Sequence, residues 1–519
     1  MTSRYLLSKV GFRRTIQHLE PRYNMPSRHY ILEKAIPKIH KDVRDDIAKQ
    51  VESTNALSFT TDIWSCDHRP LSLLSLTAHW IGPDFSPKSA VLHAREFRGT
   101  HSANAITDAM EHMLRTWNID KKKVHVILRD NAANIKKALD QLGVPSLGCF
   151  AHTLQLVVQH GLLAQRAVSD AIANGRKIVT HFKHSPKAYS ELEDVEDELN
   201  IEPKRLQQDV KTRWSSTKMM IDSLLHCKRA LQSYASDSAS NLPATLTGNQ
   251  WSLLEKTATV LKPFQELTAE VSAAAATAAD VIPSVRALTR FLENESEEHR
   301  GIQTMKATLL DAVHTRFDQV ETEPLYTVAT MLDPRYKDKF FTNATNLDQA
   351  KEALKVEVMK MEQELNTMHS GEGVAEAETV MQTPAMEAGS STSSLSSYFD
   401  EILEESCRAG PSEQQITQGA LFQLESYLSE PPIGRKNNPF HYWRDNQAQL
   451  PTLAATAAKF LSAPCTSVES ERLFSAVSLI IDEHRSRLTP EHLEMLVFVK
   501  KNFPTMLGLQ SGQTVEGSV

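Results

Sequence analysis

Two aspartates stand where a chain of this kind can do chemistry. Asp62 lies near the end of the alternating, β-prone run Ala56 to Trp64, and Asp130 follows Val124-His-Val-Ile-Leu128. The second run is short and apolar, the pattern of a strand buried on both faces, and it delivers Arg129-Asp-Asn131 to its C-terminal edge. Two carboxylates at one sheet edge repel each other, and burying both without compensation is costly. A divalent cation removes that cost. Hard oxygen ligands suit Mg²⁺, which keeps several waters and takes phosphate oxygens as further ligands. Two such ions about 3.5–4 Å apart activate a water or a DNA 3′-hydroxyl and stabilise the leaving oxygen. A third acid, on a helix covering the sheet, is needed to complete the second ion's site. The residue types leave another use open, because helix starts favour Asp and Asp130 can cap the helix beginning at Asn131.

The elements that must position these acids follow from periodicity. Ala56 to Trp64, Leu71 to Trp80 and Ala90 to Phe97 read as strands, the last two joined through Gly82-Pro83 and suited to antiparallel pairing. Ala103 to Trp117 is an amphipathic helix, Val124 to Leu128 a strand, and Asn131 to Leu142 a helix closed by Gly143. Ser146 to Phe150 is a fifth strand, with a long helix from His152 onward. The order β-β-β-α-β-α-β-α is that of the ribonuclease H-like fold. In it strands one and four are neighbours, which brings Asp62 and Asp130 to the same edge.

The rest of the chain divides by composition. Residues 1–55 are predicted to be a basic helical segment, with eleven Lys/Arg against five Asp/Glu in residues 1–50. Residues 56–185 form the first part of the ribonuclease H-like domain, and 186–360 an all-α insertion. Its 3.6-period stripes include Trp251, Leu254, Leu261, Phe264 and Leu267, and Met305, Leu309, Val313 and Phe317. Residues 361–415 carry eleven acids against the single Arg408 and are read as an acidic disordered loop. Residues 416–435 end the insertion, 436–503 are a helical region that supplies the last part of the ribonuclease H-like domain, and 504–519 a disordered tail. The formal net charge of −7 thus hides a basic remainder of about +3 outside the acidic stretch, and is no argument against a nucleic-acid partner. No run approaches the length of a membrane span, and five dispersed cysteines without a Cys-x-x-Cys pair point to a reducing compartment.

Several blocks then carry a resemblance. Thr60-Thr-Asp-Ile-Trp-Ser65, Arg129-Asp-Asn-Ala-Ala-Asn134, Cys149-Phe-Ala-His-Thr-Leu154, Thr212-Arg-Trp-Ser-Ser-Thr217, Leu332-Asp-Pro-Arg-Tyr-Lys337 and Thr466-Ser-Val-Glu-Ser-Glu-Arg-Leu-Phe-Ser475 come in the order seen in hAT-superfamily transposases. The sequence resembles that family from about Gly11 to Asn502, and within it the zinc finger BED domain-containing proteins, which are domesticated hAT transposases. The resemblance implies an α/β, ribonuclease H-like mixed sheet with a large all-α insertion and a C-terminal helical dimerisation segment. It also implies that Asp62, Asp130 and Glu471 are the catalytic, Mg²⁺-binding acids, and that Cys149 and His152 are the Cys-x-x-His pair beside them. Trp214, with Arg213 and Arg472, falls on DNA-contacting positions, Trp214 as the ring that stacks on an unpaired base. Packed-core roles for Cys149, His152 and Trp214 are equally open. So is a plain surface position for Glu471 beside Glu469 and Arg472.

Two departures qualify the match. No Cys precedes Cys66, so the chain is expected to lack the family's BED finger, and Arg129 stands where many active members have a small polar residue. The expectation is a nuclear, domesticated hAT-like protein that forms a homodimer or higher homo-oligomer and associates with DNA or chromatin as a regulator, with no membrane partner. Phe440, Trp443, Leu493, Leu496 and Phe498 are expected to supply the dimer surface, or to complete the ribonuclease H-like core of their own chain, and the two uses are compatible. The alternative is an active transposase cleaving and joining DNA with Mg²⁺.

Overall fold

In the computed structural model, residues 10–66, 70–210, 213–236, 241–294, 301–369, 395–407, 419–478, 480–481 and 489–506 are described. The chain opens with helices α1 (Val10–Leu19) and α2 (Ile36–Ser53). The basic N-terminal stretch is not simply a solvated arm. Helix α2 buries Val43, Ile47 and Val51 at i, i+4 and i+8, while Arg44 donates to the Thr116 carbonyl (2.9 Å) and lies 5.0 Å over the Trp117 ring.

Six strands and two helices follow: β1 (Leu57–Thr60), β2 (Ile63–Ser65), β3 (Ser72–Ile81), β4 (Pro87–Glu96), α3 (Ala103–Thr116), β5 (Val124–Arg129), α4 (Ala133–Leu142) and β6 (Ser146–Gly148). The expected first strand is interrupted at Thr61-Asp62, and both halves pair antiparallel with β3. β1 is parallel to β5, and β5 to β6. β4 joins the other side of β3, giving the lateral order β4-β3-β1-β5-β6, the ribonuclease H-like arrangement.

Strand alternation assigns the faces. Leu74, Leu76, Ala78 and Trp80 of β3 join a core with α2, α3 and α4, including Ile106, Met110, Ile135 and Leu139. Leu73, on the opposite face, joins a second cluster completed from the end of the chain.

These residues belong to a unit comprising 1–149, 443–445 and 457–519; a second unit comprises 150–442 and 446–456. The division falls at 149/150, ahead of the boundary at 185 read from the sequence, because the helices after Cys149 pack with the helical residues that follow them. Within the second unit come α5 (Phe150–Ala164), α6 (Arg166–His184), α7 (Pro186–Glu198), α8 (Trp214–His226), α9 (Lys228–Ser236), α10 (Gly248–Val271), α11 (Val281–Glu293), α12 (Gln303–Phe317), α13 (Pro324–Leu332) and α14 (Ala344–His369). The predicted stripes of α10 and α12 are buried. α5 and α12 cross closely at Gly161, where a Cβ would sit 2.4 Å from Leu309 Cδ2.

The acidic stretch departs from its reading as one disordered loop. Residues 361–369 continue α14, and Ser396–Cys407 form a further helix, α15, because Leu395, Phe399 and Ile402 supply a buried helical stripe amid the acids. The remainder, 370–394 and 408–418, lies outside the described residues. α16 (Ala420–Ser429), α17 (Pro439–Asn446), α18 (Pro451–Leu461), α19 (Val468–Ser478) and α20 (Pro490–Met506) complete the chain. α20 runs two residues into the predicted tail, whose residues 507–519 also lie outside the described ones.

The Leu332-Asp-Pro-Arg-Tyr-Lys337 block is a buried polar hub of the second unit. Asp333, with no exposed surface, accepts from the Arg335 guanidinium (2.6 Å from Nη2), which also reaches Asp280 (2.9 Å). The Tyr336 hydroxyl donates to the same Asp280 oxygen (2.7 Å). Lys337, in the left-handed region at φ 48°, donates to the Tyr427 and Glu430 carbonyls and lies 4.2 Å over the Tyr427 ring.

Candidate acidic site at the sheet edge

The break between β1 and β2 is what presents Asp62. Thr61 N–H still donates to the Leu128 carbonyl of β5 (2.9 Å), holding the two parallel strands together to their ends. Asp62 is then bracketed by Ser75 of β3: its N–H donates to Ser75 Oγ (3.1 Å), and its carbonyl accepts from Ser75 N–H (3.0 Å). The Asp62 carboxylate accepts from the N–H of Ile63 (2.8 Å).

One strand over, Asp130 follows β5 directly. Its Oδ1 accepts from Ala132 N–H (3.1 Å), an Asx turn leading into α4. The capping use anticipated for Asp130 is not seen: the helix starts at Ala133 rather than Asn131, with Ala132 at its N-cap and no side-chain cap. The Arg129 guanidinium donates to the Asp130 backbone carbonyl (2.8 Å), and Cys149 N–H donates to the Arg129 carbonyl (2.7 Å), fixing the peptide that carries the acid.

Charge shows that the acids interact. Burial pushes Asp62 up to about 7, and the negative charge of Asp130 adds to it. The Ile63 N–H opposes the shift, and Glu471 adds a smaller push in the same direction. Hard carboxylate oxygens with uncompensated repulsion fit a divalent cation, so Asp62 and Asp130 are the residues that would hold Mg²⁺. Glu471 is less committed. It sits on the exposed side of α19's first turn. Among the described residues, no three His, Cys, Asp or Glu side chains form a group that could hold a metal ion.

Residues that the sequence reading passed over hold α19 in place. Ser470, fully buried and adjacent to Glu471, donates to Thr60 Oγ1 (3.4 Å), and Thr60 also meets His79 Nε2 (3.2 Å). Ser58 and Ser462 share a 2.7 Å hydrogen bond. The signal was a run of small hydroxyl residues at the inward positions of β-prone strands, easily read as ordinary strand polarity. Gly148 is a further constraint. A Cβ there would lie 2.6 Å from Asn131 Oδ1, next to Asp130. Gly148→Ala is expected to cost about 1–3 kcal/mol, read as a lower denaturant midpoint; an unchanged midpoint would show that Asn131 swings away freely.

The other predicted residues separate. Cys149 is buried and its Sγ accepts from Ser467 N–H (3.3 Å), a packing role at the entry to α19. His152 is exposed in the first turn of α5, so the two do not share one buried environment. Trp214 is 3% exposed and edge-on to Phe264 (6.4 Å), which leaves no free ring face for a base in this conformation. Arg213, just before it, is exposed. Arg472 is ion-paired with Glu469 at 2.6 Å.

Comparison with known proteins matches this architecture in order. Residues 60–146 match the ZBED1 RNase-like domain, 147–260 the ZBED1 RNase-like helical domain, and 423–503 the hAT family C-terminal dimerisation region. The chain therefore carries the hAT family C-terminal dimerisation region together with the ZBED1 RNase-like domains. Zinc finger BED domain-containing protein 4 of Homo sapiens is 30% identical over 511 residues, covering 96% of this chain and 42% of that protein. Zinc finger BED domain-containing protein 6 of Homo sapiens is 27% identical, covering 95% and 53%. The putative AC transposase of Zea mays is 23% identical, covering 95% and 63%. The chain thus spans about half the length of the two human relatives.

The dimerisation match supports homo-oligomerisation, and the side chains expected to carry it are packed within their own chain. Phe440, Trp443, Leu493, Leu496 and Phe498 are each 7% exposed or less. Phe498 stacks on Trp117 (6.1 Å), and Leu493 packs with Leu473, Val477 and Val91.

Proposed function

We propose that this chain is a domesticated, nuclear hAT protein that self-associates through its C-terminal region and binds DNA or chromatin as a regulator. The observation carrying this reading is the state of the acids. Asp62 and Asp130 share an edge, whereas Glu471 sits on an exposed helix face outside any three-ligand group among the described residues. A third acid left on an exposed helix face suits a protein that holds DNA rather than one that cuts it.

One observation favours the alternative, an active Mg²⁺-dependent transposase. Asp62 is held near 7 by burial and by its acidic neighbours, the electrostatics of a site awaiting a cation. Bound there, Mg²⁺ would lower the pKa of a water or a DNA 3′-hydroxyl. Asp62 and Asp130 would hold the ion, and Ser75 and Arg129 would keep their backbones in register.

One set of assays separates the readings. The chain is incubated with nicked and hairpin-forming duplexes in Mg²⁺ or Mn²⁺, and its mass is followed by light scattering. The regulator reading expects a dimer or larger assembly that retards duplex DNA and leaves it uncut. Cleavage that disappears in Asp130→Ala selects the transposase. A monomer that retards no DNA overturns both.

A further inference from the structure

Helix α15 interrupts a stretch whose composition favours disorder, and the way it is held differs from that of an ordinary core helix. Leu395, Phe399 and Ile402, at i, i+4 and i+7, are 0%, 2% and 3% exposed. Phe399 lies between the Phe340 ring (5.9 Å) and the Arg435 guanidinium, 3.8 Å over its ring. Tyr398 packs edge-on against Phe291 (6.0 Å) and accepts from Asn294 Nδ2 (3.0 Å). At the rim, Arg290 binds Glu405 with two parallel hydrogen bonds (2.8 and 2.7 Å) and reaches Glu401 at 3.2 Å. A cavity of about 450 Å³, lined by Arg290, Glu293, Asn294, Ser397, Tyr398 and Glu401, lies along this rim.

Apolar anchors on one helical face, seated in a groove and flanked by acids that meet basic residues at the rim, are the pattern of an amphipathic helix recognised as a ligand. Polar, low-hydrophobicity sequence lies on both sides of the helix, at 370–394 and 408–418. We propose that residues 395–407 are a detachable ligand docked in cis, and that their seat on α11, Phe340 and Arg435 is a recognition groove. The groove takes an acidic amphipathic helix with large apolar residues at i, i+4 and i+7 and carboxylates facing Arg290. Filled by its own segment, it is closed to other helices of that kind. It opens when the segment leaves.

The test uses the full chain with a protease cleavage sequence inserted after residue 385 and another after residue 412. Once both are cut, native mass spectrometry is expected to show the α15 fragment leaving on dilution, while the remainder keeps its far-ultraviolet circular dichroism and its cooperative thermal transition. A fluorescent peptide of residues 394–408 then binds the emptied protein saturably by anisotropy. A Phe399→Ala peptide binds about tenfold more weakly or worse. Arg290→Glu in the protein weakens the natural peptide and improves binding of one carrying Glu401→Arg and Glu405→Arg. Three outcomes overturn the proposal: a fragment that never leaves at nanomolar protein, a helical unit that unfolds on its release, or a Phe399→Ala peptide that binds as well as the natural one.

Discussion

Asp62→Asn will stabilise this protein above neutral pH and leave it nearly unchanged at about pH 4 and below. The sign follows from the direction of the shift. Asp62 titrates near 7 in the folded chain against 3.8 when unfolded, so the folded state binds the proton more tightly. Below about pH 4 both states are protonated and the site costs nothing. Between about pH 4 and 7 the unfolded chain releases its proton first, and stability falls as pH rises. Above 7 the folded protein bears the full cost of a buried Asp62 charge, together with its repulsion by Asp130 and, more weakly, Glu471. Removing one charge should recover about 2 kcal/mol, less than the shift alone implies because the carboxylate keeps partial contact with water.

Thermal melts at pH 4 and pH 8 read the effect. The gain should appear only at pH 8, as a rise of several degrees for a unit of this size. Adding Mg²⁺ at pH 8 should raise the wild-type melting temperature towards that of the variant and do little for Asp62→Asn. Equal melting temperatures of wild type and variant at both pH values would mean that the Asp62 charge is neither desolvated nor pressed by its acidic neighbours, and the cation site would lose its physical basis.

The second large effect is expected at the hub formed by Asp280, Asp333 and Arg335. Removing one member strands a buried charge, because Asp333 is wholly enclosed and Arg335 and Asp280 keep only a small exposed fraction. Asp333→Ala should cost about 3–5 kcal/mol, seen as a large drop in the denaturant midpoint. The double change Asp333→Leu with Arg335→Met removes both charges together and should recover much of that loss. This pairing keeps the test readable even if Asp333→Ala accumulates unfolded. A single variant as stable as wild type would mean that solvent reaches the hub and screens the pair.

Much of this was legible in the chain itself, for identifiable reasons. The β-prone runs of β3 and β4, the apolar run of β5 and Gly143 at the end of α4 depend on nearest neighbours along the sequence, so local pattern was enough to find them. The parallel pairing of β1 with β5 followed from element order, because a strand–helix–strand crossover admits few alternatives. Helix α15 was missed because composition averaged over the acidic stretch outweighed three well-spaced apolar residues inside it.

Only the tertiary structure decided which surfaces are spent. Phe498 and Leu493 are equally apolar whether they face a partner or their own sheet, and Trp214 is the same indole whether it waits for a base or closes a core. Burial is a property of what packs opposite, which a residue's own type does not encode. For the acids the division is similar. Their types and strand-end positions set the possible chemistry. Folding alone set how strongly Asp62 feels Asp130, and left Glu471 on the outer side of its helix, because the adjoining Ser470 is the residue turned inward to the sheet.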